Sequence, residues 1–389
     1  SVPSSVTVAG SSSMIREVLA RERSVRLAAE IGWRAGAAFC TFLLADCFTW
    51  RGRYERALPL AREALAIAEE IEHLEWQCGA ERSLGFIALD LLDPVTAHRS
   101  LARAHAIAVR LGSRTWIRWT AAPLAVALAR LGDHADARAL LQAAGEPSLL
   151  GRDALLPGDE DVPTIAQRQL TLAGAEVALA EGDAGKALRI LDRQLAEERR
   201  RAGAANASLP RLALLRGLAL IDLERFADAV PALEAAVAEA EAQEARPLLW
   251  RGQRALGRAH QRLGQRLEAR RAFDAAREIA GDLQARVPDE PLRETFARAV
   301  SALVPAAKRP SLRQVTREAY GGLTRREREV AQLVAAGRSN RGIARALGIG
   351  ERTAEDHVAH ALAKLGFSSR AQLAAWCVQQ GMVQPPTPR

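Results

Sequence analysis

Most of this 389-residue chain repeats with a period of about 40 residues. One alanine recurs in each of six units at nearly regular spacing, with one longer interval, and a short turn segment precedes it. Because Gly, Asp and Pro end one helix and let the chain reverse into the next, each unit is predicted to be a helix, a turn and a second helix. The alanines are Ala57, Ala97, Ala137, Ala187, Ala229 and Ala269, and the turn positions are Gly52, Leu92, Gly132, Gly182, Glu224 and Gly264.

Two of the units agree in further detail, and this agreement carries a family resemblance. Small residues allow two helices to cross closely, while Leu and Phe fill the space beside them. The units resemble tetratricopeptide repeats (TPRs), lengthened from about 34 to about 40 residues, so residues 15–304 are predicted to form a TPR-like α-solenoid in an all-α chain. The matched positions are Leu84, Gly85, Ala97, Leu101 and Ala104 in one unit and Leu256, Gly257, Ala269, Phe273 and Ala276 in the other.

The TPR resemblance implies a binding role for the array. Such arrays bind a peptide, a protein or a small ligand on their concave face. The alternative is that the array only spaces or dimerises other domains. The longest interval, between Ala137 and Ala187, contains an insertion, 145–163, which is predicted to be a disordered excursion or, alternatively, a lid or partner loop.

The positive charge of the chain is concentrated at its C-terminal end. Residues 301–389 hold 14 Lys and Arg against 6 Asp and Glu, a net charge of +8. The whole chain has 54 basic and 46 acidic residues, so the first 300 residues hold 54 − 14 = 40 basic and 46 − 6 = 40 acidic residues. A basic unit on a neutral body indicates a polyanion partner, although a basic solvated tail would give the same count. Residues 305–322 are rich in basic residues and interrupted by prolines, and are predicted to be a linker.

Four short helices are predicted in the region 323–384. The second and third are separated by Gly348-Ile349-Gly350, and the third runs from Glu351 to Leu365. Two helices joined by such a turn form the helix-turn-helix geometry, which places the second helix of the pair in the major groove of DNA. The predicted helix caps are Thr324 with Glu327 as a capping box, Ser339, and Ser369 with Gln372.

The region 323–384 carries the signature Leu323-Thr324, Arg326-Glu327-Arg328-Glu329-Val330, Gly337, Ser339-Asn340, Ile343-Ala344, Leu347, Ile349, Arg352-Thr353, His357-Val358, Lys364-Leu365 and Ser369-Arg370. With this signature the region resembles the C-terminal DNA-binding domain of LuxR-type transcriptional regulators. With helical repeats in front of it, the chain also resembles the C-terminal part of the large ATP-binding, MalT-like LuxR regulators, in which a nucleoside-triphosphatase domain precedes the repeats. No phosphate-loop motif GxxxxGK[ST] occurs in the chain, so that domain was either removed or never present in this form.

The resemblance implies a cytoplasmic bacterial transcription regulator that binds double-stranded promoter or operator DNA as a homodimer. The residues expected to face bases are Thr353, Glu355, Asp356 and Ala359; those expected at phosphates are Ser339, Asn340, Arg341, Arg352, Lys364 and Arg370; those expected at the dimer contact are Leu373, Trp376 and Cys377. One alternative is a repeat scaffold whose C-terminal helices contact a protein such as RNA polymerase. Another is a fragment of a signal-transduction ATPase regulator.

The third helix departs from the family pattern at its start. Many members open this helix with Thr-Val-Lys, whereas this chain has Thr353-Ala354-Glu355 followed by Asp356. Acidic residues in the first turns of a helix are favoured by its dipole, and a carboxylate in the major groove can accept a hydrogen bond from cytosine N4. Repulsion from phosphates would then have to be offset by neighbouring arginines. The alternative is a helix-turn-helix reused for protein contact.

Several other classes of function are disfavoured by the sequence. Cys40, Cys47, Cys78 and Cys377 form no CxxC pair or Cys/His metal spacing, and are predicted to be reduced thiols. No catalytic residues, cofactor site or metal site are predicted. No long apolar run or signal peptide is present, so no membrane partner is expected. Residues 1–14 and 385–389 are predicted to be flexible tails, and the lack of an initial Met indicates a processed chain or a fragment of a longer protein.

Overall fold

The computed structural model describes residues 7–145, 165–202, 210–306 and 320–382, and the regular structure in these ranges is helical. The chain divides into two compact units, an N-terminal unit of residues 1–306 and a C-terminal unit of residues 307–389. The predicted all-α fold is therefore confirmed.

The N-terminal unit is an array of helical hairpins. Helices α2 to α13 pair consecutively into six hairpins, with α1 before them and α14 after them, as the repeat predicts. The helices are α1 (Thr7–Glu30), α2 (Arg34–Trp50), α3 (Tyr54–Glu70), α4 (Leu74–Asp90), α5 (Pro94–Leu111), α6 (Arg114–Leu131), α7 (His134–Gly145), α8 (Ile165–Ala180), α9 (Ala184–Ala202), α10 (Pro210–Asp222), α11 (Phe226–Ala242), α12 (Arg246–Arg262), α13 (Arg266–Ala285) and α14 (Glu290–Leu303).

Residues in the left-handed backbone conformation lie at the turns of the array. All six predicted turn positions have φ between 58° and 95°. The connections between hairpins contain further residues of this kind, at Gly32, Glu72, Gly112 and Glu244. Each of the helices α1 to α6 is thus followed by a tight reversal, and the structural period in the first hairpins is half of the sequence repeat.

Close helix crossings hold each hairpin together. All six register alanines are buried. A Cβ atom added to Gly85 would lie 2.4 Å from Leu101 Cγ, and one added to Gly257 would lie 2.7 Å from Phe273 Cδ1. The matched glycines are therefore required by contact with the large residue of the next helix, which is the packing that the two best units predict.

The array closes on itself, because its first hairpin contacts its last. Gly52, between α2 and α3, lies so near α13 that an added Cβ atom would be 2.2 Å from Leu283 Cδ2. A single apolar cluster contains Tyr54 and Leu58 of α3 together with Trp250 of α12 and Phe296 of α14. Ion pairs join the same region at Arg62–Asp289 (2.6 Å) and Arg286–Glu55 (3.1 Å).

Some predicted boundaries change or cannot be compared. Helix α1 begins at Thr7, inside the predicted flexible tail of residues 1–14, because extending an existing helix costs far less than nucleating one. The insertion 145–163 (apart from Gly145), most of the linker 305–322 and the tail 385–389 lie outside the described residues.

The C-terminal unit contains four helices in its described part, 320–382: α15 (Arg325–Ala335), α16 (Asn340–Leu347), α17 (Glu351–Leu365) and α18 (Arg370–Gln379). The capping boxes of Thr324 with Glu327 and of Ser369 with Gln372 are both formed, and Ser339 caps α16. One apolar core holds the four helices together, and it includes residues from each of them.

Candidate nucleic-acid interface

Helices α16 and α17 form the helix-turn-helix. Gly348 adopts the left-handed conformation that ends α16, and Gly350 precedes the first residue of α17. Ile343 of α16 and Ala354 and Val358 of α17 are buried in the shared core. The opposite face of α17 is consequently turned away from the protein.

The exposed face of α17 carries all four residues predicted to face bases. Thr353, Glu355, Asp356 and Ala359 are exposed, while the intervening Ala354 is completely buried. Within the described part of the chain, Glu355 and Asp356 form no ion pair. Their carboxylates are therefore available as hydrogen-bond acceptors, the role that a cytosine amino group in the major groove requires.

Four arginines of the helix-turn-helix and of the residues just before it have no internal partner. The side chains of Arg338, Arg341, Arg345 and Arg352 are exposed and make no hydrogen bond or ion pair with other described residues. Arg341 and Arg345 are four residues apart and share one face of α16. In helix-turn-helix proteins the first helix of the motif crosses the DNA backbone, so these positions are suited to phosphate contact.

Ser339 and Asn340, two other residues predicted at phosphates, have structural roles as well. The hydroxyl of Ser339 accepts a hydrogen bond from the Gly342 amide at 3.2 Å and so caps α16. Asn340 is half-buried and accepts from Arg370 Nη1 through its Oδ1 at 2.6 Å. The second guanidinium nitrogen of Arg370 donates to the Arg338 carbonyl at 2.5 Å. Arg370 thus fastens α18 to the start of α16.

Lys364 is likewise engaged within the unit. Its amine lies 2.6 Å from Oε2 of Glu327, whose side chain is only 6% exposed. Burial acts to raise the pKa of Glu327, but the hydrogen bonds from Lys364 and Thr324 outweigh it and lower the pKa overall. Lys364 and Arg370 therefore brace the helix bundle, and a phosphate contact by either would use the N–H donors that these pairings leave.

Arg326 has a role that sequence reasoning missed. It donates to the Leu347 carbonyl at 2.7 Å and to Glu329 at 2.9 Å. These hydrogen bonds connect the C-terminal end of α16 to α15. They thereby fix the turn that sets the orientation of α17. Arg326 lies in the family signature quoted from the sequence, but the spacing there does not show which carbonyl it reaches.

The structure corrects the predicted dimer contact. Leu373 and Cys377 are completely buried in the core of the unit, and burial raises the pKa of the Cys377 thiol to about 11. They cannot contribute to a dimer surface, because α18 uses this stripe to pack against α15. Trp376 is half-buried, with its ring 6.5 Å from that of Phe367, whereas Val378 is 38% exposed.

No cluster of three or more His, Cys, Asp or Glu is placed within the described residues to hold a metal ion. Among the described helices, none has the length and apolar character needed to cross a membrane.

Known proteins match both units. Residues 322–377 match the model of bacterial regulatory proteins of the luxR family, and residues 44–72 match a tetratricopeptide-repeat model. An alignment of 388 positions, which covers 93% of the chain, gives 28% identity to Rv0890c of Mycobacterium tuberculosis. That protein is named, provisionally, an HTH-type transcriptional regulator, and the chain spans 42% of its length.

Shorter matches are confined to the C-terminal unit. The nitrate/nitrite response regulator NarL of Escherichia coli is 41% identical over 81 residues, 20% of this chain and 38% of NarL. The transcriptional regulatory protein YhcZ of Bacillus subtilis, itself uncharacterised, is 44% identical over 66 residues, 17% of this chain and 31% of YhcZ. The predicted LuxR-type and TPR-like resemblances are therefore confirmed.

Proposed function

We propose that this chain, whose C-terminal unit is a LuxR-family helix-turn-helix domain, is a bacterial transcription regulator that reads a specific DNA sequence. The observation that carries the proposal is the exposed face of α17, together with the exposed arginines in and just before the helix-turn-helix that have no partner among the described residues. A helix presented in this way fits the major groove, and the arginines match the phosphates on either side. The matched family and relatives support a regulatory rather than a catalytic role.

In the proposed complex, α17 enters the major groove with its N-terminal half against the bases. Glu355 and Asp356 accept from cytosine amino groups, and Thr353 and Ala359 face the neighbouring base edges. Arg341, Arg345 and Arg352 hold phosphates and offset the repulsion between those phosphates and the two carboxylates. Two copies would bind related half-sites, with the exposed part of α18 as their contact.

The N-terminal unit would act as the sensor in this regulator. TPR-like arrays bind peptides, proteins or small ligands, and the relatives that match most of this chain also carry the name of transcriptional regulators. We place the protein in the cytoplasm, where DNA is available to it.

The proposal is tested by selecting fragments of bacterial genomic DNA that the whole chain retains at near-physiological salt with nonspecific competitor. A short motif enriched upstream of genes is expected. On that motif, Arg352→Ala should weaken binding and reduce the slope of log affinity against log salt by about one, because one phosphate contact is lost. Arg325→Ala is the matched control, since this side chain is 89% exposed on α15 and pairs with Glu329.

A selection that yields no motif would contradict the proposal. Retention without a motif, together with an unchanged salt slope in Arg352→Ala, contradicts sequence reading by α17. Glu355 and Asp356 would then be tested as a protein-contact surface, with RNA polymerase as the first partner to assay.

A further inference from the structure

A cavity lies inside the N-terminal unit, where the first helices of all six hairpins converge. Its volume is about 490 Å³, a figure that includes space open to solvent. Each of these helices contributes to the wall. Representative lining residues, from α2, α4, α6, α8, α10 and α12 in turn, are Trp50, Asp90, Arg130, Glu176, Arg211 and Arg251.

The repeat explains why these residues meet. Trp50, Asp90 and Arg130 occupy one position of three successive hairpins, each a single repeat after the last. Arg211 and Arg251 share another position of the last two hairpins, again a single repeat apart. Side chains at equivalent positions of a curved array point toward the same axis. Charged side chains at such positions therefore lie together at the centre of the array.

The cavity holds more positive than negative charge. Arg251 Nη2 lies 3.1 Å from Asp90 Oδ1, and Arg211 Nη2 lies 2.6 Å from Glu176 Oε1. Arg130 reaches the same Glu176 only at 3.5 Å, on its second oxygen, and donates to the Leu89 carbonyl at 2.9 Å. Three guanidinium groups against two carboxylates leave a net charge of +1 in the cavity.

The ionisation of the two carboxyl groups decides how large this positive excess is. Burial acts to raise the pKa of Glu176, but Arg211 and Arg130 outweigh it and keep the group ionised. Burial raises the pKa of Asp90 despite the arginines beside it, which brings this carboxyl nearer to its neutral form. Any protonation of Asp90 would increase the positive charge further.

Small molecules can reach the charged groups. The side chains of these five residues keep between 14% and 32% of their surface exposed, so they are neither sealed in the core nor on the open surface. The remaining wall is apolar and includes Phe86, Val126 and Leu248. The buried indole N–H of Trp50, which also lines the cavity, has no hydrogen-bond partner in the part of the chain that is described.

We propose that this cavity binds a small monocarboxylate with an apolar body. The single excess positive charge matches one carboxylate, which the guanidinium groups can hold by charge-assisted hydrogen bonds. Asp90 and Glu176 would repel a second negative charge, so a dianion such as phosphate fits less well. The apolar wall accommodates the hydrocarbon part. This inference names the ligand class for the sensing role proposed above and rests on that role.

Binding is measured by isothermal titration of the full chain with benzoate and hexanoate, beside the uncharged benzamide and hexanamide and inorganic phosphate. A carboxylate should bind at least about tenfold more tightly than its amide or than phosphate, the effect of one charged hydrogen bond. Arg211→Gln should weaken this binding at least about tenfold. Arg216→Gln is the matched control on the same helix, because Arg216 pairs with Asp192 at 2.7 Å and is not part of the cavity wall.

A variant that is expected to gain affinity controls for misfolding, because a misfolded chain would lose binding. Glu176→Gln raises the cavity charge from +1 to +2 and keeps an acceptor for Arg211, so carboxylate binding should tighten by about tenfold. Equal affinity for acids and amides, no binding by either acid at about 10 mM, or unchanged affinity in both Arg211→Gln and Glu176→Gln would overturn the proposal.

The outcomes for the two units are separable. Failure of carboxylate binding in a chain that still selects a DNA motif contradicts the ligand class only. Carboxylate binding without motif selection contradicts the DNA-reading function and leaves the ligand site standing.

Discussion

Glu327 makes two contacts, and the sequence predicts only one of them. Its Oε2 accepts from the Thr324 amide at 2.8 Å, which completes the capping box predicted from the three-residue spacing. The same carboxylate accepts from Lys364 on α17, far along the chain. A local pattern predicts the first contact, because the cap geometry depends on neighbours in the chain. The second depends on how α15 and α17 cross, which no local spacing specifies.

This residue predicts a pH dependence for the C-terminal unit. The pKa of Glu327 is lower in the folded state than its ordinary value of 4.5, so its contribution is complete above that value and is lost as the pH falls below it. Glu327→Gln should destabilise the unit by about 2 kcal/mol at pH 7, because a charged pair is removed from a buried site. It should also flatten the loss of stability below about pH 4.5. Hydrogen exchange over residues 325–365 of the full chain, corrected for the intrinsic effect of pH, measures both.

The control for that experiment is Glu329→Gln on the same helix. Glu329 pairs with Arg325 and Arg326, and its side chain is 31% exposed. A surface pair contributes no more than about 1 kcal/mol, so the control should change exchange at pH 7 less than Glu327→Gln does. Equal exchange in the two variants would contradict a special role for the pair of Glu327 and Lys364.

At the scale of helices, the sequence predicts the turns within hairpins better than those between them. Four of the six predicted turns contain Gly at the left-handed position, whereas the connections between hairpins also place Glu72 and Glu244 there. Non-Gly residues adopt this conformation only where packing of the flanking helices enforces it, so by themselves they give no turn signal. The turns at Leu92 and Glu224 are predicted only from their place in the repeat. The structural period of half a repeat became visible only with the structure.

Two glycines within helices of the array, Gly85 and Gly174, predict opposite effects for the same substitution to Ala. Gly85→Ala should destabilise the array by about 1–3 kcal/mol, since the added Cβ would press on Leu101. Gly174→Ala should stabilise it by about 0.5–1 kcal/mol, because an added Cβ there, within α8, has no atom within 4 Å. Chemical denaturation of the N-terminal unit, followed by circular dichroism, gives both values.

A second substitution separates crowding from other causes. If the clash is with Leu101, then Leu101→Val should recover part of the stability lost in Gly85→Ala. A double variant whose loss equals the sum of the two single losses would show that crowding at this crossing is not the cause.

On the scale of the whole array, closure is the feature that the sequence does not predict. The repeat pattern specifies hairpins and their order, but closure depends on a small rotation between successive hairpins added over the array. The contact of Gly52 with Leu283 and the convergence of charged residues on the central cavity both follow from that sum. The exposed face of α17 could be predicted, since it needs only the periodicity of that helix. The burial of Leu373 and Cys377 could not, because it depends on where α18 packs.

Closure predicts that the two ends of the array stabilise each other. Leu283→Ala removes a completely buried side chain of α13 that packs at Gly52, and should cost about 2–5 kcal/mol. Hydrogen exchange should then rise in α2 and α3 as well as in α12 and α13, although these hairpins are the first and the last of the array. Leu233→Ala is the matched control, since Leu233 is equally buried but packs against Gly217 within one hairpin. Its effect should centre on α10 and α11. An increase in Leu283→Ala restricted to α12 and α13 would mean that the closing contact contributes little, and that the array opens hairpin by hairpin as an open solenoid does.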